Sequence, residues 1–350
     1  MPDRLNDREY DLLRLIDDYE PIGSIRLVDQ LRRRGYSIKG RTVRLLLSEL
    51  DEAGLTEKIP GKGRRLTEKG RSELRLGHVS GRLEQVRERI AVLTGQVTYD
   101  PFEDTGELVT ASIDIPASMA EDALDALNEL DDLPLNPIPV AVEHPSIETD
   151  DDDFVRLFFP SSITLDGVLL SRGINAQLQV AGIVEYHPNP ASVSEQFAHE
   201  GTISSEHGGA VLRYTDAISG EGSTVDVADL LIEAGRPSIR PLLDGDAPGL
   251  LVVDNRELPL IRYEEAFDIA GATREQLGGV FDLRKPRENG PFPCGQPGWD
   301  FASLTYGAVG ELAIAFLVEE GFSDTWVTLH GLKERSAFQH VAIASLPETI

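Results

Sequence analysis

Between residues 24 and 70 the apolar positions fall twice at helical spacing and then switch to short strand-like runs. Ile25, Val28 and Leu31 share one face of a helix that Ser24 would N-cap and Gly35 would close as its C′ residue. Val43, Leu46, Leu47 and Leu50 follow the i, i+3, i+4, i+7 rule, which predicts a second helix from near Gly40 to Gly54. Arg41, Arg44, Leu45 and Ser48 lie on its other face. Residues 55–59 and 64–67 flank Pro60-Gly61-Lys62-Gly63, a sequence suited to a tight hairpin turn. Ahead of these, residues 7–19 carry Leu12, Leu15, Ile16 and Tyr19 on one stripe, ended by Glu20-Pro21-Ile22-Gly23. Helix, turn, helix and basic hairpin is the order of a winged helix-turn-helix. Such a domain would lay the Arg41–Ser48 face in a DNA major groove and set its wing against phosphate.

Further along, a short helix is expected at 72–76, broken by Gly77, and a charged one at 78–93 with Leu83, Val86, Ile90 and Leu93 along a stripe. That stripe is either a connector packed on the next domain or a dimer seam. From Thr98 the texture changes to strands, glycines and prolines. Residues 107–115 read as a strand and 117–130 as a helix begun by Pro116. Residues 133–145 read as a loop or extended edge, and 154–159 as an apolar strand. Residues 161–173 can be laid on 223–235 without a gap, hydroxyl residues at the start and Gly at the end of both. Each copy is followed by a Gly-led strand (182–186, 249–253), a Pro (Pro190, Pro259) and a helical stretch (191–199, 260–270). Residues 107–130 repeat only the strand–Pro–helix part. The pattern favours a duplicated domain with pseudo-twofold symmetry, an arrangement that tends to leave a ligand cleft between its halves. A helix at 306–320 ended by Gly321 and closing strands at 326–329 and 340–344 complete the chain. The fold class is α+β: a winged helix-turn-helix over 1–76, a helical connector over 77–96, and a mixed α/β domain with internal duplication over 97–346.

Charge sharpens the contrast between the parts. Residues 1–89 hold 20 Lys/Arg against 16 Asp/Glu, and the remainder holds 13 against 44. A mildly basic end on a strongly acidic body points to nucleic-acid binding at that end; the bland alternative is a winged module for protein contact with solvated arginines. The net charge is −27 and Lys occurs only at 39, 58, 62, 69, 285 and 333. That style resembles proteins of extremely halophilic archaea, whose carboxylate-rich surfaces stay hydrated in concentrated salt. The competing reading is an acidic interaction surface. Asp150–Asp153 reads as a solvated loop. High salt weakens phosphate contacts, by roughly 10³–10⁴ per tenfold rise for about four phosphates. Base-edge contacts, shape readout and a dimer's second half-site would then carry more of the binding.

The one cysteine, Cys294, rules out a disulfide framework and a thiolate metal site and fits a reducing cytoplasm. The charged first residues lack a signal-peptide core, and the longest apolar run, 312–318, is too short to span a membrane.

The stretch GYSIKGRTVRLLLSELDEAGLTEKIPGKGRRLTEKG is similar to the winged-helix half of the archaeal NrpR-type nitrogen regulators. SITLDGVLLSRGI, GIVEYHPNPASVSEQF, STVDVADLLIEAGRPSI and GLLVVDNRELP resemble the regulatory domain that follows it, so the likeness runs from about residue 8 to about 330. It implies a dimeric DNA-binding repressor of nitrogen-assimilation genes, released by 2-oxoglutarate and using no cofactor. The chain departs from the pattern in carrying one regulatory domain where some relatives have two, and in its tail around 291–299, which leaves the effector's identity open.

For DNA, the candidates are Arg41, Arg44 and Ser48 at base edges, Thr42 on phosphate, Leu45 on a thymine methyl or in packing, and Lys62, Arg64 and Arg65 from the wing, with Arg32, Arg33 and Arg34 nearby. A dicarboxylate effector needs cations or free N–H groups, and few Lys/Arg lie beyond residue 89. Arg172, Arg213, Arg236, Arg240 and Arg256 are the candidates, each weighed against an ordinary ion pair, with Ser161/Ser162 and Ser223/Thr224 at helix N-termini that accept anions. No catalytic pattern is present: the seven His show no paired metal spacing, His187, His199 and His207 read as loop or surface positions, and Cys294 lacks a His partner. Three readings follow: the nitrogen-type repressor, a regulator of the same build with another effector, and an enzyme or metabolite-binding protein with an incidental winged domain.

Overall fold

The computed structural model of the chain describes residues 5–346 apart from 6, 34–35, 37, 77–78, 145–153, 189–208, 220–223, 245–246, 294 and 296. Two compact units divide between Val92 and Leu93. The first is built from α1 (Asp7–Tyr19), α2 (Ser24–Arg33) and α3 (Gly40–Glu52), then β1 (Thr56–Ile59), β2 (Gly63–Leu66) and α4 (Glu68–Leu76). Helix α5 (Val79–Thr94) follows. Leu12, Leu13, Leu15, Ile16, Leu27, Leu31, Val43, Leu47 and Leu50 form the centre of its core.

Two details differ from the expected pattern. Ile25 is 79% exposed, and Leu27 joins Val28 and Leu31 in the core instead. At about 100° per residue, Ile25 sits roughly 60° beyond Val28 on the side away from Leu31, whereas Leu27 sits on Leu31's side. The Leu27 N–H bonds to the Gly23 carbonyl at 3.1 Å, so Gly23, not Ser24, takes the N-cap place. Gly54, at φ 71°, ends α3 as expected, with the Leu55 N–H on the Leu50 carbonyl at 3.0 Å. Gly35 and Arg34 lie outside the described residues, as do the side chains of Leu83 and Val86. The wing hairpin pairs antiparallel, Ile59 opposite Gly63. Ile22 adds a bridge to it through paired bonds with Arg64 of 3.0 and 2.9 Å.

The second unit repeats itself. The first copy runs β3 (Glu107–Pro116), a 3₁₀ turn (Ala117–Met119), α6 (Ala120–Asp131), β4 (Pro139–Glu143), β5 (Phe154–Pro160), α7 (Ile163–Ser171) and β6 (Gln177–His187). After β7 (Ala210–Ser219) and α8 (Thr224–Glu233), the order returns: β8 (Gly249–Pro259), a 3₁₀ turn (Leu260–Arg262), α9 (Tyr263–Leu277), β9 (Val280–Arg284), β10 (Phe301–Tyr306), α10 (Val309–Glu319) and β11 (Trp326–Glu334). In both copies a strand closes on proline, which cannot extend the ladder and opens the helical turn instead. A short β12 (Gln339–His340) follows.

Among the described residues these strands form two five-stranded antiparallel sheets, ordered β11-β3-β5-β4-β12 and β7-β6-β8-β10-β9. The last strand of each copy pairs in the other copy's sheet: β6 beside β8 and β11 beside β3. This reciprocal exchange ties both copies into one core, with Phe159, Phe281, Leu312 and Phe316 in the same cluster.

The duplication is therefore present, but its copies are not those the gapless echo suggested. The echo aligned α7 with α8, whereas the equivalent of α7 is α10. Both α7 and α8 end at a glycine of positive φ, Gly173 at 72° and Gly235 at 61°. A helix stopped by a left-handed glycine is a local signal and carries no information about place in a sheet. Helix α10 lies close on the first sheet: a Cβ on Gly310 would stand 2.5 Å from the Pro160 carbonyl oxygen. Gly310→Ala is expected to cost about 1–3 kcal/mol, read from denaturant melts; an unchanged midpoint would mean the helix can ride outward freely.

Candidate functional site

Helix α3 separates its residues cleanly. Val43, Leu47 and Leu50 are buried, while Arg41, Thr42, Arg44, Leu45, Ser48 and Glu49 are exposed, with Leu45 at 60%. The polar face is thus presented as one surface. Arg44 Nε bonds to the Gly40 carbonyl at 3.1 Å, which lays its guanidinium along the first turn. Arg41 makes no ion pair among the described residues. Leu45, apolar and exposed, follows Arg44 and lies one turn on from Arg41, where it suits contact with a thymine methyl.

The wing is tied to α3 by charge. Arg64 Nε reaches both Asp51 carboxylate oxygens at 3.1 and 3.0 Å, and Asp51 also accepts from the Thr56 hydroxyl at 2.6 Å. The Arg64 side chain is 17% exposed, so the structure places it as a brace and not on the outer surface. Arg65 pairs with Glu57 across the hairpin at 2.5 Å, and Lys62 is exposed at the turn. Arg32 Nε bonds to the Ile38 carbonyl at 3.3 Å, and Arg33 is exposed. Asp51→Ala removes three hydrogen bonds, two of them from Arg64, and is expected to destabilise the winged unit by about 1–3 kcal/mol. Circular-dichroism melts measure this; a midpoint equal to wild type would show that the wing holds without the brace.

The five arginines singled out in the second unit do not converge. Arg172 pairs with Asp100 at 3.0 Å, Arg213 with Glu185 at 2.5 Å, Arg236 with Asp216, and Arg240 with Glu129 at 3.4 Å and Glu320 at 3.5 Å, all on exposed or half-exposed surface. Arg256 alone is buried. Its Nε and Nη2 hold Asp166 at 3.0 and 2.7 Å, Asp254 lies 3.8 Å away, and its guanidinium stands 5.5 Å from the Tyr306 ring centre. The Tyr306 hydroxyl donates to Asp166 at 2.7 Å. Arg256 and Asp254 are i, i+2 on β8, which puts both on one face, and Tyr306 is the cross-strand partner of Asp254.

Beside this cluster lies Glu311, 3% exposed, in the first turn of α10. Its Oε1 accepts from the Ser161 hydroxyl at 2.9 Å and from the Ser162 N–H and hydroxyl, each at 3.2 Å. Burial pushes the Glu311 carboxyl up to about 8, against the lowering effect of those donors. Burial likewise raises Asp254 to about 6, with Arg256 pulling it down. The sequence reading named Ser161, Ser162 and Arg256 but missed Glu311, Asp166, Asp254 and Tyr306. The signal was there: a single acid inside the apolar run 309–318, and Asp254 and Arg256 directly after the apolar run 250–253 in a strand buried over most of its length. A charge kept inside a buried segment is costly and calls for a partner. Ser223, His199, His207 and Cys294 lie outside the described residues, as does the side chain of Thr224; His187 is buried at the end of β6. Among the described residues no group of three His, Cys, Asp or Glu could hold a metal ion, and no helix is long and apolar enough to cross a membrane.

A family model described as the ribonuclease R winged-helix domain matches residues 9–74, and one described as NrpR regulatory domains NRD1 and 2 matches residues 83–205. The chain is 26% identical over 265 residues to the global nitrogen regulator NrpRI of Methanosarcina mazei, covering 73% of each. It is 30% identical over 167 residues to the global nitrogen regulator NrpR of Methanocaldococcus jannaschii, 48% of this chain but 29% of that protein. The corresponding regulator of Methanococcus maripaludis is 31% identical over 178 residues and is also covered over 29% of its length. Among solved structures, a nitrogen repressor-like protein from Methanococcus jannaschii shares the fold, with a TM-score of 0.53, 16% identity, and coverage of 73% of this chain and 97% of that one.

Proposed function

We propose that the chain, similar over residues 83–205 to NrpR regulatory domains and over 265 residues to a global nitrogen regulator, is a DNA-binding transcriptional regulator that represses nitrogen-assimilation genes and is released by 2-oxoglutarate. In this reading residues 1–76 bind DNA, 77–96 connect, and 97–346 bind the effector. The observation that carries it is the division of α3, whose leucines are spent on the core while Arg41, Thr42, Arg44, Leu45 and Ser48 face outward together. Arg41, Arg44 and Ser48 read base edges, Thr42 and the wing residues Lys62 and Arg65 hold phosphate, and Arg64 keeps the wing in place. The protein acts as a homodimer on double-stranded operator DNA, and its acidic second unit keeps it dissolved in a salt-rich cytoplasm.

Footprinting tests this in molar KCl, on sites first located by mapping the protein's own binding across the genome. Protected half-sites about one helical turn apart are expected, upstream of nitrogen-assimilation genes, with protection lost on adding 2-oxoglutarate. Protection that ignores 2-oxoglutarate but responds to another small acid would reassign the effector. Absence of any protected site would remove the reading.

A further inference from the structure

The second copy carries an exposed apolar surface that the equivalent edge of the first copy lacks. Ile261, in the 3₁₀ turn after β8, is 92% exposed, and Trp299, just before β10, is 64% exposed. The two sit on joined backbone: the Leu260 N–H bonds to the Asp300 carbonyl at 2.8 Å. The surface continues beyond Ile261. Arg262 Nη2 donates to the Arg172 carbonyl at 2.8 Å and so ties the turn to the end of α7, where Leu170 is exposed. The Arg172 guanidinium in turn stands 5.6 Å from the ring centre of the exposed Phe102. The first copy is an internal control. Its matching turn puts the exposed Ser118 in the place of Ile261. Its chain between β4 and β5, which corresponds to the Trp299 loop, carries Asp150–Asp153 in sequence. The fold therefore needs no large apolar residue at either place, and such side chains left in water on one copy alone mark a contact surface.

We infer that this surface is where two copies of the chain meet, each presenting the same patch to the other across a twofold axis. This rests on the reading that the protein acts as a homodimer, and it says where. Charge selects the occupant. Beyond residue 89 the chain holds 13 Lys/Arg against 44 Asp/Glu, so most of that surface repels a second copy. Four of the 13 gather here. Arg172 holds Asp100 at 3.0 Å, Arg262 holds Glu265 at 2.6 Å and Lys285 holds Glu264 at 3.0 Å, leaving paired charges of both signs. Arg287, with no ion pair among the described residues, lies 3.2 Å from the Trp299 ring centre. A surface of mixed sign with apolar knobs is complementary to itself, whereas a partner of one strong sign, such as nucleic acid, would oppose half of it. Aromatic residues and arginine are also the side chains that concentrate at the centre of protein contacts.

Sedimentation velocity on the full chain without DNA, in molar KCl, tests the surface. Wild type is compared with Ile261→Ser, which installs the residue the first copy uses, and with Trp299→Ser. Both side chains are exposed, so the fold holds, and a circular-dichroism melt of each variant checks it. Ile261→Ser decides the matter if losing the Arg287 contact disturbs the second variant. Each is expected to raise the dimer dissociation constant by roughly tenfold or more. A wild-type dissociation constant in both variants would overturn this surface while leaving a dimeric regulator standing. A wild-type chain that is monomeric at every concentration would overturn the homodimer and the surface with it.

Discussion

Replacing Arg41 and Arg44 together with alanine is expected to lower operator affinity by on the order of 100-fold or more, since each good base contact contributes about 1–3 kcal/mol. Folding should be untouched. Both side chains are exposed, and surface changes of this kind stay within about 0.5 kcal/mol. Fluorescence anisotropy on labelled operator measures the first effect and a circular-dichroism melt the second. The double variant should lose discrimination between duplexes more than it loses binding to DNA in general. A wing variant such as Lys62→Ala should do the reverse, weakening all sequences alike and flattening the salt dependence by about one unit of slope. Operator binding that survives the α3 double variant would move the recognition surface elsewhere.

The second large effect concerns Glu311. In the unfolded chain its carboxyl has an ordinary pKa of 4.5, whereas burial raises it to about 8 in the folded protein. The folded state therefore holds its proton across a window where the unfolded chain has released it. The stability this proton linkage contributes is full below 4.5 and is lost as pH rises through about 8. Asp254 and Asp282, raised by burial to about 6 from 3.8, act in the same direction over a lower window. Between pH 6 and 8 Glu311 is the dominant of these groups, and its loss amounts to about 2–3 kcal/mol. Both tryptophans, Trp299 and Trp326, belong to the second unit, so their fluorescence in urea melts reports it without the first. Wild type should weaken over this range and Glu311→Gln should not. Parallel pH profiles would show that the carboxyl is ionised in place.

The winged unit was legible because its signals are local. Two apolar stripes, two turn sequences and a basic hairpin specify it nearly alone, and the shift from Ile25 to Leu27 moves the buried face by only part of a turn. The second unit was legible as to its type and not as to its plan. Strand–proline–helix was visible at 107–130 and again at 249–270, but the exchange of β6 and β11 between copies joins Tyr186 to Gly249 and Trp326 to Ile113, pairings across the chain that no periodicity records. The same limit applied to the buried Glu311 contact. Ser161 and Ser162 were readable as an anion-accepting helix start, while their partner Glu311 comes from 149 residues further on and is recognisable only as an acid out of place. Arg64 shows the opposite failure. A wing arginine reads as a phosphate ligand until Asp51, 13 residues earlier, is seen holding it.

The central claim is that the arginine face of α3 reads a DNA sequence. The ratio of affinities for operator and for a scrambled duplex of equal length, in molar KCl, tests it most directly. The account predicts a ratio of at least about 10³ for wild type, collapsing in the Arg41/Arg44 double variant. Equal affinity for the two duplexes, or a ratio the double variant leaves intact, would contradict it.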